Sequence, residues 1–548
     1  MLSSQVTGAG SPALFARGKR GSPVRRPPRQ AAAPTAATPA APWSSRVRLL
    51  KLAGAGLLVF LFFAASRLAA PQAWSYDEYY HLGVARELAH HFPLRAFPWT
   101  PFSVLADHYA DKELLFHLVL LPLSGLPVDT AGTVGALLGQ AFFVFAFAWA
   151  LWRLRVPGAH WFLLGLVLVG PMFAFRVAMC RPHVWMVGFT LLVLGLLLER
   201  PEPGSSYRLG RFRAAALFAV AALFGLVHTA GWLSIPFAAL FAVAGWLGAD
   251  PEDRRFLWRP LALAAGGWLL GQLVHPNFPE NFRLAYLQNV VVPLQSAGAG
   301  SAALAATAGA ELTAPGASVL AEQWPAFLAP AVVAFGLLRQ PRLRTRATVT
   351  AAILAAIFLL AGALFFQRMF EVGAPLGLLA LALAAAERRR QGLPALLPGW
   401  EPFVVALALA LGGLWTFAIG RAHAPGISYP QEMARWMGEN AKAGTRVFTA
   451  QWGDSAPLFW FAPRLQSLVA LDPTFFYVKD PALFAEYADL AYGRRTAPVD
   501  EIERRFGCRY ATVWRAPLYA ALAGQLAADP RSKLVYADGY YLVFELRP

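Results

Sequence analysis

Cysteine is nearly absent from this 548-residue chain, which has only Cys180 and Cys508. Two thiols so far apart provide neither a disulfide framework nor a thiolate metal site. Charge is also scarce, at 14% of residues, and acids are rarer still, with 31 Asp and Glu against 48 Lys and Arg. A chain so poor in charge, with 57% hydrophobic residues and a mean hydropathy of +0.46, is too apolar for a soluble enzyme. Its apolar residues fall in runs long enough to cross a bilayer, so the fold class expected is a polytopic α-helical membrane protein. The net charge of +17 requires no nucleic-acid partner, because the basic residues cluster in short groups between apolar runs.

What is present divides the chain in three. Residues 1–45 are Ala, Pro, Ser and Arg with almost no large apolar side chains, and are expected to be a disordered basic tail on the cytoplasmic side. Residues 46–420 carry about eleven apolar segments, from Leu49–Ala70 to Phe403–Ile419. Counting these off in order puts every dense Arg cluster on the cytoplasmic face, Arg153 with Arg155, Arg254 with Arg255, and Arg388 to Arg390 among them. Residues 421–548 hold no run able to span a membrane. Alternating helical and strand-like patches there, with a hairpin turning at Asp538-Gly539, predict a small soluble α/β domain on the extracytoplasmic side.

The same count gathers a second set of polar residues on the outer face. The first outer loop opens with Trp74-Ser75-Tyr76-Asp77-Glu78-Tyr79-Tyr80-His81, two adjacent carboxylates flanked by aromatic residues at the mouth of a membrane helix. Such carboxylates are costly near hydrocarbon and are kept where they are used; the structural alternative is a solvated helix N-terminus favoured by the helix dipole. Asp77 to His91 has apolar residues at helical spacing and predicts an amphipathic helix in the membrane interface. Further outer candidates are Asp111-Lys112-Glu113, Arg176, Arg181 and His183 in Cys180-Arg181-Pro182-His183, His228, His275-Pro276-Asn277, and Arg368 with Glu371. Each has a plainer reading. Arg176 and Arg181 can bind headgroup phosphates of membrane lipids, Arg368 and Glu371 can pair with each other, His228 can be a packing residue, and His275-Pro276-Asn277 can be a turn. Asp111 and Glu113 can join Asp77 around a divalent ion, but their spacing is not diagnostic and the metal stays unknown.

A first outer loop opening with Tyr76-Asp77-Glu78, followed by Ala85-Arg86-Glu87-Leu88 and then Tyr109-Ala110-Asp111-Lys112, resembles the membrane glycosyltransferases of the GT-C superfamily. The likeness is greatest to the protein mannosyltransferase and aminoarabinose transferase branch. The family often places prolines after the Lys, whereas Glu113-Leu114 follow here. The resemblance implies a polyprenyl-phosphate-linked sugar donor, a glycan, lipid or protein acceptor outside the cytoplasm, and an inner (cell) membrane location. For that chemistry the site residues are Asp77 as general base, Glu78 positioning the acceptor or sharing the proton, and Lys112, Asp111, Arg181, His183, His275 and Arg368 binding substrate. Two neighbouring carboxylates are expected to raise each other's pKa. The alternative classes are a polytopic transporter, or a membrane scaffold whose C-terminal domain binds a partner.

Overall fold

In the computed structural model, residues 42–198, 209–246, 257–292, 294, 313–393, 400–422, 428–469 and 472–547 are described. The expectation of disorder before Ser45, and the clusters at Arg200 with Arg208 and Arg254 with Arg255, fall almost wholly outside them. Leu49–Pro548 forms one compact unit.

All eleven apolar segments contain helix. Seven helices among the described residues are long and apolar enough to cross a membrane, from Ser45–Leu68 to Pro402–Ala422. An eighth arises if Ala159–Leu168 and Pro171–Val177, which meet at 98°, are one bent span. The remaining three, Pro182–Leu197, Arg211–Val227 and Trp258–Leu273, have 16, 17 and 16 residues. At about 1.5 Å per residue they fall short of a hydrocarbon core of about 30 Å. The structure is therefore a membrane helical bundle in which seven or eight of the eleven expected segments are long and apolar enough to span among the described residues.

The first loop departs from expectation in its environment. Tyr76–His90 is helical, but it does not lie half-immersed in an interface: Glu78 to Ala85 and Leu88 are all buried. The helix is covered by the C-terminal domain. Arg86 donates to the carbonyls of Phe459 and Trp460 at 3.2 and 2.8 Å and stacks over the Trp460 ring at 4.3 Å. The Gln431 amide donates to the Tyr79 hydroxyl at 3.0 Å, and the Trp99 indole to the Pro463 carbonyl at 2.7 Å. Phe97, Trp99 and Phe459 complete the contact with ring centroids 4.7 to 5.0 Å apart. Gly83 allows this approach, since a Cβ there would come within 2.6 Å of the Phe459 ring.

The covering domain is built on a five-stranded mixed sheet in the order β2-β1-β3-β5-β4. Its strands are β1 Arg446–Thr449, β2 Gln466–Ser467, β3 Tyr510–Trp514, β4 Ser532–Ala537 and β5 Tyr541–Leu546. β1 runs parallel to β2 and β3, while β5 pairs antiparallel with β3 and β4. Burial along β3 and β5 is nearly continuous because helices pack on the sheet. The helices at Gln431–Asn440, Pro498–Phe506 and Ala520–Ala528 and the β4–β5 hairpin stand where the sequence pattern put them. Ser455–Phe461, Thr474–Lys479 and Pro481–Ala491 are further helices that the pattern did not reveal.

Candidate active site

Ser75 is extended, and the helix that follows carries Asp77 and Glu78 in its first turn, where the dipole favours negative charge. Neighbouring residues on an α-helix point about 100° apart. The two carboxylates therefore diverge, and each meets its own arginine.

Glu78 turns into the bundle. Its oxygens accept from Arg67 Nη1 and Nη2 at 3.1 and 3.0 Å, and both side chains are completely buried. The Cys180 amide adds a third hydrogen bond at 3.2 Å. Gly132 leaves room for the pair, since a Cβ there would lie 2.6 Å from Glu78 Oε2. Burial pushes the Glu78 carboxyl up, and the Arg67 charge opposes it. The expectation that the two carboxylates raise each other's pKa is not met at Glu78, where burial and then Arg67 are the causes.

Asp77 is paired through Oδ2 with Arg181 Nη2. Arg181 is extended and immediately precedes the proline that starts Pro182–Leu197, so the start of one membrane-region helix delivers a guanidinium to the first turn of the loop helix. About one-sixth of each side chain remains exposed.

One helical turn beyond Asp77, His81 opens a chain of buried hydrogen bonds. The Asp111 carboxylate accepts from His117 Nδ1–H at 2.7 and 2.8 Å. His117 Nε2 and His81 Nδ1 share a further hydrogen bond at 2.8 Å. Ligand atoms of His81, Glu113 and His117 all lie within 4.8 Å of one another, and all three residues are buried. Glu113 Oε2 has no hydrogen-bond partner among the described residues. Burial raises the Glu113 carboxyl, opposed by Lys112 and His117; burial, then the charges of His117, Arg181 and Lys112, keep His81 neutral. Two imidazoles and a carboxylate, with Asp111 orienting one imidazole from behind, form a donor set suited to a borderline divalent cation. The set differs from the expected Asp77, Asp111 and Glu113: Asp77 faces Arg181 and Asp111 stands behind His117.

The remaining candidates divide. Lys112 Nζ lies 3.5 Å from Glu113 Oε1 and shares the electrostatic field of Arg181 and Arg368 at the buried His228 ring. The charges of Lys112, Arg181 and Arg368 thus act on one common neighbour, His228. Asp111 is engaged by His117 instead of being open to substrate. His275 uses both nitrogens, Nε2–H donating to the Asp111 carbonyl at 2.9 Å and Nδ1 accepting from the Asn277 amide at 3.1 Å. Its loop clamps the Asp111 backbone, with Asn277 donating to the Leu94 carbonyl at 2.6 Å. His183 belongs to a separate cluster: its Nε2 meets the Arg176 carbonyl at 3.0 Å and lies 3.7 Å from Glu371. Glu371 pairs with Arg176, which leaves the plainer reading of Arg368, a pair with Glu371, without support.

Sequence reasoning had offered Glu113 as a metal ligand, with other partners, and had not assigned Arg67, His81 and His117 to the site. The spacing carried a signal, since Asp77/His81 and Glu113/His117 are both i, i+4 pairs. Arg67, a lone charge at the end of the first span, was a second one.

A helical bundle whose loop helix is buried beneath an α/β domain is a fold that this chain shares with solved structures of an oligosaccharyltransferase and of ArnT. The archaeal oligosaccharyltransferase AglB from Archaeoglobus fulgidus, in complex with an inhibitory peptide and a dolichol-phosphate, is similar over 89% of this chain and 72% of its own, with a TM-score of 0.58 at 13% identity. ArnT from Cupriavidus metallidurans, bound to undecaprenyl phosphate, is similar over 91% of this chain and 98% of its own, with a TM-score of 0.55 at 16% identity. The Archaeoglobus enzyme in complex with Zn and sulfate is similar over 84% of this chain and 68% of its own, with a TM-score of 0.53 at 14% identity. No protein-family model matches the chain, and no curated protein matches it significantly in sequence.

Proposed function

We propose that this protein is an inverting glycosyltransferase that moves a sugar from a polyprenyl-phosphate donor to an acceptor hydroxyl outside the cytoplasm, with Asp77 as general base. The observation that carries the reading is the Asp77–Arg181 pair, set beside the convergent charges of Lys112 and Arg368. In this reading Asp77 is the base and Arg181, Lys112 and Arg368 are the phosphate-binding cations that displacement from a glycosyl phosphate requires.

Without donor, Arg181 neutralises Asp77. A donor phosphate competes for that guanidinium, joins Lys112 and Arg368, and frees the carboxylate for the acceptor. The acceptor oxygen then bonds to the anomeric carbon as its proton passes to Asp77. The bond from that carbon to the phosphate oxygen breaks, and the charge left on the lipid phosphate is met by the three cations. Attack from the face opposite the phosphate inverts the anomeric centre. Glu78 and His275 act by position, Glu78 fixing the loop helix through Arg67 and His275 fixing the Asp111 backbone. His81, Glu113 and His117 would hold a divalent cation, which supplies charge neutralisation near the phosphate.

In this reading residues 46–420 are the membrane domain and 421–548 an extracytoplasmic domain, in a cell (inner) membrane with the N-terminus cytoplasmic. The alternation of Arg clusters supports that orientation. The dolichol-phosphate and undecaprenyl phosphate held by proteins of the same fold support the donor class. Purified protein assayed with a panel of polyprenyl-phosphate sugars tests the function. Sugar transfer with release of polyprenyl phosphate is expected, and absence of transfer from every donor, with the protein folded, overturns it.

A further inference from the structure

Asp454 is fully buried where β1 leads into the Ser455–Phe461 helix. Its Oδ1 accepts from the Tyr541 hydroxyl at 2.6 Å, and its Oδ2 has no hydrogen-bond partner. No Lys, Arg or His forms an ion pair with it among the described residues. The titratable groups that face it are phenols: Tyr76 from the first loop, Tyr429 ahead of Gln431–Asn440, Tyr541 on β5, and Tyr487 and Tyr519 further round. Burial without a counter-cation pushes the Asp454 carboxyl up to about 8, against the hydrogen bonds from Tyr541 and Tyr76. In the proposed reaction this acid has no part.

Its place in the fold joins two regions. Tyr76 is the residue before Asp77, and its hydroxyl lies 3.1 Å from that of Tyr429. The Tyr76 ring lies over Gly453, where a Cβ would come within 3.0 Å of it. Tyr429 stacks on Trp514 at 5.7 Å and on Tyr541 at 6.2 Å, so the hydroxyls of the loop helix, the chain entering the domain and β5 meet around one carboxyl group. Polar groups hydrogen-bonded to one another between two buried elements fix their relative placement, because separating the elements would strand those groups.

We propose that Asp454 is a positioning residue for Asp77: through Tyr541 and the Tyr76–Tyr429 hydroxyl pair it locks the C-terminal sheet onto the first turn of the loop helix. The inference rests on the role given to Asp77 above. Asp454 touches no substrate and acts through Tyr76. Its neutral form is the one that fits, because ionisation would place an uncompensated charge among phenols.

The test uses the full-length protein with Asp454→Asn, Asp454→Ala and Tyr541→Phe, reading hydrogen exchange in residues 75–90 alongside steady-state transfer. In Asp454→Ala, exchange in the first turn of the loop helix is expected to rise about tenfold. Its kcat is expected to fall about ten- to a hundredfold with donor KM within about twofold. Asp454→Asn, a neutral isostere, should keep exchange and kcat near wild type and abolish the decline of the wild-type rate as pH passes about 8. Tyr541→Phe should shift exchange in the same direction as Ala by less, and keeps the inference testable if the Ala variant does not fold. Unchanged exchange in both Ala and Phe variants overturns the positioning role, as does an Asn variant as impaired as Ala. If the wild-type protein transfers no sugar, the function proposed above falls, while exchange still decides the tie between Asp454 and the loop helix.

Discussion

Glu78 meets Arg67 with both carboxylate oxygens, 3.1 and 3.0 Å from the two guanidinium nitrogens, in complete burial. Removing one partner of such a pair strands the other charge away from water. Glu78→Gln is therefore expected to destabilise the protein by about 3–5 kcal/mol. Thermal unfolding in detergent measures it. The paired replacement Arg67→Met with Glu78→Leu should be milder than either single change, and an additive result would show that the two groups do not act as a unit.

Asp77→Asn removes the proposed base while keeping its size. Turnover should drop by about two to four orders of magnitude, with melting behaviour close to wild type. Near-normal transfer by a folded Asn variant would move the base elsewhere in the site, and Glu113 would be examined next.

Lys112→Ala and Arg368→Ala test the cations. Each should lower kcat/KM for the donor through both kcat and KM, because a lost cation weakens ground-state binding and charge stabilisation together. An effect confined to the acceptor KM would place these residues at the other substrate.

The His81, Glu113 and His117 group predicts a bound divalent ion. Elemental analysis of protein purified without chelator should find about one equivalent of Zn or Mn, reduced strongly in His117→Ala and in Glu113→Gln. Equal metal content in wild type and both variants would place the ion elsewhere. The reading is independent of whether transfer can be assayed.

Stability should depend on pH through Asp454. Its folded-state pKa, about 8, is above the ordinary value of 3.8, so the unfolded chain loses this proton first. The stabilisation is complete below about pH 4, declines as pH rises, and is gone once pH passes about 8. Asp454→Asn should flatten that part of the curve, and an unaltered slope would assign the dependence to other groups.

Orientation is checked by labelling. Asp107 and Tyr540 are exposed on the first loop and the β4–β5 turn, and Arg344 is exposed on the connection proposed to be cytoplasmic. The natural cysteines are both buried. Single cysteines at 107 and 540 should react with an impermeant reagent outside intact cells, and one at 344 should not; the reverse pattern inverts the topology.

Much of the frame could be read from the chain. Long apolar runs announce spans because hydrocarbon demands them, and strand-like patches around Asp538-Gly539 announced the β4–β5 hairpin. The three helices of 16 or 17 residues pass no test of length for a span; apolarity reports burial in protein as readily as burial in lipid. The site was legible by residue type and illegible by partner. Asp77 and Glu78 are adjacent in sequence, yet helical rotation sends one to Arg181 and the other to Arg67, 104 and 11 positions away. His81 and His117 lay in view as ordinary loop histidines, because a hydrogen-bond chain to Asp111 exists only after the loop folds on itself. Asp454 gave no signal at all, since its surroundings come from three distant segments.

Arg86 reaches the Phe459 and Trp460 carbonyls across 373 and 374 residues of sequence. The ribosome works in the other order. When the loop helix leaves it, the aromatic helix that will cover Tyr80, Phe97 and Trp99 has not been translated, and every later membrane segment must be inserted first. Biogenesis therefore leaves this part of the nascent chain uncovered until its last quarter is made. A protein truncated after Ala422 would carry the same membrane segments yet present a bare aromatic face, a natural target for holding chaperones and membrane proteases.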